Sequence, residues 1–166
     1  RLPAEGQAIP TPEPGEYVVF VSHLRRGLGF PMDPFVRGLM FYYGLDFHDL
    51  APKSILHISA FIVVCEAFLR VTPHFGLWLK TFNVEPKMIG GRQAECGGAA
   101  VSRRADAPWP EGSFQEEPGL WQQEWFYITA SKGSRQKLPP LFRLGPPQRL
   151  VSWVNQGLNW GPSKDV

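Results

Sequence analysis

DPFVRGLMFYYGLDFHDLAPKSILHISAFIVVCEAFLRVTPHFGLWLKTF, residues 33–82, is the stretch whose reading decides the fold. It holds three helical patterns separated by short turn signals. Asp33-Pro34 opens the first, because an aspartate accepts free amide hydrogens at an N-cap and proline suits the first helical position. Gly44 closes it, since glycine takes the left-handed conformation that a helix stop requires. Pro52 opens the second pattern, which runs to Leu69 and carries Ile55, Leu56, Ile58, Phe61, Ile62, Val63, Val64, Cys65, Phe68 and Leu69. Apolar residues on nearly every side predict a rod wrapped by the rest of the protein. Thr72-Pro73 predicts the start of a third helix, with Phe75, Trp78, Leu79 and Phe82 at helical spacing.

Outward from this core the chain becomes more irregular. Residues 1–15 hold prolines and glycines with almost no apolar periodicity and read as a flexible lead-in. EYVVFVSHL, residues 16–24, is β-branched and aromatic, which predicts a strand at 17–21. Residues 99–103 and 124–129 are the other predicted strands, the second within WQQEWFYIT. Residues 106–119 read as an exposed polar loop. After Ser131 the chain is rich in proline and in lysine and arginine, and proline cannot supply ladder hydrogen bonds. Residues 131–166 are therefore expected to be a Pro-rich connector ending in a docking segment, Leu150 to Trp160. The predicted organisation is a lead-in at 1–15, a globular unit at 16–130 and this tail. The predicted class is α+β: a three-helix core at about 34–82 packed with a small, mainly antiparallel sheet, between irregular Pro/Gly-rich ends.

The bulk composition fits one such domain. The 166 residues are 43% hydrophobic and 13% aromatic, enough to bury a core, and the net charge of +2 implies no strong polyanion-binding field. Two cysteines, Cys65 and Cys96, make no disulfide framework, which favours an intracellular setting, cytoplasm or nucleus. The first residues lack the apolar run of a secretory signal. The run from Ile55 to Leu69, interrupted by His57 and Glu66, is too short and polar to predict a membrane span.

Motifs for chemistry are mostly missing. His23, His48, His57 and His74 lie in neither CxxC nor HExxH spacing, so no metal ligand is assigned and the histidines are expected at helix ends or in the core. A cysteine among Ile62, Phe68 and Leu69 would be a poor nucleophile, because burial disfavours its thiolate. Neither GxxxxGK[ST] nor GxGxxG occurs, so no nucleotide cofactor is expected. No catalytic residue is assigned and the protein is not expected to be an enzyme. Glu66, a lone acid in an apolar helix, shares a helical strip with Ser59 and Arg70 and either faces water beside Arg70 or, if buried, forms a structural ion pair with Arg37 of the preceding helix or with a histidine. Arg25, Arg26, Arg103, Arg104, Lys132, Arg135 and Lys137 are candidate nucleic-acid contacts. Trp109, Trp121, Trp153 and Trp160 are candidate contacts for a protein partner.

Several of these segments carry a family resemblance: PFVRGLMFYYGL at 34–45, HDLAPKSILHI at 48–58, FIVVCEAFL at 61–69 and PHFGLW at 73–78, with WFYI at 125–128 and LPPLF at 138–142. Residues 17–155 resemble the plant gypsy-type transposon domain, the Gag-like N-terminal region of grass retrotransposon polyproteins. The resemblance implies a non-enzymatic structural or protein-interaction module that binds a protein partner or its own copies. It brings no catalytic residues: the chain shows no reverse transcriptase aspartate pair, no protease Asp-Thr/Ser-Gly and no Cys-rich knuckle. Gag capsids are mainly helical, and the strand-like runs at 17–21 and 125–128 depart from that pattern. A nucleic-acid-binding module, using the basic pairs and the tail, is the alternative.

Overall fold

The structure, a computed structural model, describes residues 1–7, 10–94, 96–110 and 120–129. Strand β1 (Glu16–Phe20) leads directly into a short helix, α1 (Val21–Arg25). Then come α2 (Pro34–Tyr43), a 3₁₀ turn at Phe47–Asp49, α3 (Pro52–Val63) with a π-helical end (Val64–Leu69), and α4 (Phe75–Thr81). Strands β2 (Phe82–Pro86), β3 (Met88–Ile89), β4 (Arg92–Gln93), β5 (Ala99–Arg103) and β6 (Trp125–Thr129) follow. The chain is thus a mixed α+β fold, as its sequence pattern predicts. The predicted connector and docking segment, with Lys132, Arg135, Lys137, Trp153 and Trp160, lie outside the described residues.

Local signals set the helix starts. The Asp33 carboxylate accepts the Phe35 amide at 2.7 Å, and Gly44 sits in the left-handed region at φ 64°. Pro52 occupies the first position of α3. The third predicted start is displaced: the N-cap of α4 is His74, whose ring nitrogen accepts from the Leu77 amide at 3.3 Å. Thr72-Pro73 remains outside that helix. A histidine ring acceptor can cap as a hydroxyl does, because the orphan amide requires only a lone pair in reach.

The strands do not form one sheet. β1 pairs antiparallel with β6, placing Val18 opposite Tyr127 and Phe20 opposite Trp125. β5 pairs with β2, a strand the sequence pattern did not predict, with Phe82 opposite Arg103 and Val84 opposite Val101. Phe82 leaves α4 in extended geometry (φ −126°, ψ 151°), so the residue predicted to end a helix begins a strand. Ser54 ties the two kinds of element together. Its hydroxyl donates to Ala99 O at 2.7 Å and accepts from Val101 N at 3.1 Å, pinning the first turn of α3 to β5.

The core between α2, α3, α4 and β2 is aromatic. Phe35 stacks on Phe61 with centroids 5.2 Å apart, Phe61 meets Trp78 edge-on at 5.3 Å, and Trp78 lies 4.6 Å from Phe82. Such pairs add about 0.5–1.5 kcal/mol each beyond their area burial. Val18, Phe20, Trp125 and Tyr127 form a second cluster on the other sheet. The lead-in is docked there and not loose. The Tyr127 hydroxyl receives hydrogen bonds from Gln7 Nε2 (2.8 Å) and Thr11 N (2.9 Å), and the Arg1 guanidinium lies 4.1 Å over its ring. Arg1 also bonds Glu16 at 3.0 Å, and this pairing draws the Glu16 carboxyl down to about 2. A polar segment without its own core stays ordered here because a buried tyrosine offers it hydrogen bonds.

Candidate interaction surface

The rod Pro52–Leu69 is not wrapped on all sides. Its first part is: Ile55, Ile58 and Phe61 are each 1% exposed, and Cys65 is fully buried. Its end is bare, with Val63 53%, Phe68 76%, Leu69 54% and Val71 44% exposed. The whole helix spans 18 residues with a mean hydropathy of 1.5, apolar enough by length and composition to cross a bilayer, and 39% of it is buried in the domain. The helix widens into a π-turn over Val64–Leu69, and the chain then leaves through Arg70 at φ 56°, with Val71 N donating to Cys65 O at 2.9 Å. Glu66 is exposed on this end. Burial therefore does not oblige it to find an ion-pair partner. Beside the bare end lies a groove of about 520 Å³, where Arg37 and Asp33 line one wall and Ser59, Ile62 and Val63 the other.

The basic residues are partly engaged inside the fold. Arg25 pairs with Glu124 at 3.2 Å on the surface. Arg104 Nε donates to Leu79 O at 2.7 Å near the end of α4, and Arg103 reaches Trp109 O at 3.5 Å. The two described tryptophans among the candidate partner contacts are half-buried. Trp109 packs on Phe82 (5.0 Å) and Phe61 (6.2 Å), and Trp121 on Phe20 (4.9 Å) and His23 (5.8 Å). A Cβ on Gly97 would come within 2.8 Å of the Trp121 ring, so the indole is seated against backbone. Packing of this kind makes both rings parts of the domain interior more than free anchors.

The histidines occupy the expected places. His23 is fully buried and its Nε2 donates to Leu50 O at 2.9 Å; burial holds its ring near 4, well below the usual imidazole value. His57 is buried and shifted the same way. His48 lies beside Asp49 (3.5 Å) and, with Asp46, completes a group whose donor atoms fall within 4.8 Å of one another. This cluster was missed by the sequence reading, and its signal is the D-x-H-D spacing at 46–49. Geometrically it could supply one nitrogen and two carboxylates to a divalent cation. The capping box of the 3₁₀ turn already accounts for its shape, since Asp46 N donates to Asp49 Oδ2 at 2.7 Å and the Asp46 side chain accepts in return. The neighbouring Cys96 thiol is pushed up to about 12, by burial first and the Asp49 charge second. Burial, then the charge of Glu66, raises the Cys65 thiol as well. Both effects favour the protonated thiol over the nucleophilic thiolate.

Fold and surface together define a small α+β domain with a closed aromatic core and one apolar helix end open to solvent. Residues 18–86, from β1 to the end of β2, match the family described as "Putative gypsy type transposon". Over this stretch, less than half of the chain, the protein is similar to a gypsy-type transposon domain. No curated protein and no solved structure matches the chain.

Proposed function

We propose that this protein is a non-enzymatic, Gag-like structural module of a plant retrotransposon polyprotein, acting in the cytoplasm or nucleus by binding protein, including its own copies. The observation that carries this reading is the bare end of α3. Val63, Phe68, Leu69 and Val71 expose apolar surface on the order of a few hundred Å², the size at which patches on soluble proteins mark contacts. Phe30 (45%), Phe41 (48%) and Met88 (59%) are exposed as well, but the helix end gathers four such side chains between positions 63 and 71. The nucleic-acid alternative draws less support, because Arg25 and Arg104 already have partners within the domain.

The test is light scattering across concentration on the parent and on Phe68→Asp. Phe68 is 76% exposed, so the substitution leaves the core intact. The parent mass should rise with concentration and the variant should stay monomeric. A parent that is monomeric throughout refutes the self-association reading. Retention on RNA or DNA that weakens steeply with salt would favour the alternative.

A further inference from the structure

The groove beside α3 points to a second binding surface, which meets the bare helix end at Val63. Leu28, Pro31, Met32, Val36, Ile62 and Val63 make its apolar walls, and its volume of about 520 Å³ lies in the range of sites that enclose apolar groups. Gly29 also lines it. We propose that this groove seats residues 150–160 of the same chain, LVSWVNQGLNW.

Three observations select that occupant. The first is reach. The described chain ends at Thr129 in β6, opposite Glu16 at the start of β1, and residues 130–166 follow it. Residues 130–149 span up to roughly 65 Å when extended, against a domain roughly 35 Å across, so they can carry 150–160 to any face. The second is charge. Residues 131–149 carry Lys132, Arg135, Lys137, Arg143 and Arg149 without an acid, whereas 150–160 carries no charged side chain at all. Of the groove's lining, Asp33 caps α2 and Arg37 is itself a cation; the rest is uncharged and rejects unpaired cations, whose desolvation is costly, while accepting the uncharged stretch. The third is pattern: Leu150, Trp153, Val154 and Leu158 recur at the spacing of one helical stripe, suited to laying an apolar face into a groove. This inference shares Val63 with the self-association reading, whose patch also includes Phe68, Leu69 and Val71 and is tested at Phe68.

Hydrogen–deuterium exchange on the full chain tests it. Amides of 150–160 should exchange at least about tenfold more slowly than an unprotected chain, at every protein concentration. Met32→Glu places a charge on the groove wall at a half-buried side chain outside the self-association patch, and should abolish that protection while the amides of Ile55 to Phe61 stay protected. Trp153→Ala should do the same from the other partner. Unprotected amides at 150–160 in the parent overturn the proposal, as does protection that survives both substitutions. Protection that appears only as the mass doubles overturns it in favour of a second copy in the groove.

Discussion

Acidification between pH 7 and pH 4 should destabilise this domain through one residue above the others, His23. Its ring is fully buried between Phe20 and Trp121, and Nε2 donates to the Leu50 carbonyl. The other ring nitrogen, Nδ1, has no hydrogen-bond partner, so a proton added there would be buried without an acceptor. Burial is the main cause of its low value of about 4, and the neighbouring His48 lowers it further. An unfolded histidine titrates near 6.5, so below that pH the unfolded chain binds a proton that the folded chain refuses. The His23 contribution is therefore complete above about pH 6.5, falls as pH drops, and is spent once pH passes about 4. The difference of about 2.5 pH units corresponds to roughly 3 kcal/mol, of which about 2 kcal/mol is lost by pH 5. His57, whose value is also lowered by burial and by Lys53, loses stability in the same direction. Urea unfolding followed by circular dichroism at pH 7 and pH 5 measures the effect. His23→Gln retains an amide donor for Leu50 but does not titrate. Its stability should change between the two pH values by about 2 kcal/mol less than the parent's. Equal changes in parent and variant would refute the argument that a neutral imidazole is required in the core.

Other positions yield simpler outcomes. Gly27→Ala meets two obstacles, a φ of +97° and a Cβ only 2.8 Å from the Ser59 side chain, and should cost about 2–3 kcal/mol in urea unfolding. Ser54→Ala removes a donor from Ala99 O and an acceptor from Val101 N, both buried, and should cost about 2 kcal/mol with the loss concentrated in β5 amide protection. Glu66→Ala, at an exposed position, should shift stability by less than about 0.5 kcal/mol; a large loss would reveal a partner for this acid.

The sequence determined the features whose causes are local. Asp33-Pro34, Gly44 and Pro52 mark helix boundaries because a cap, a fixed φ or a left-handed turn depends on adjacent residues. The continuous apolar run from Tyr17 to Val21 and the alternation of Trp125 and Tyr127 likewise mark strands, the first buried on both faces and the second on one. Tertiary structure decided the rest. It paired β5 with β2 and not with β1, since a partner strand is chosen by where α3 and α4 place the chain. It docked the lead-in on Tyr127, engaged Arg104 at α4, and gathered Asp46, His48 and Asp49 on one turn. Above all it bared Val63, Phe68 and Leu69 at the end of a long, mostly apolar run. Hydropathy states how strongly a side chain avoids water, but only the packing of neighbouring elements determines whether anything is there to cover it.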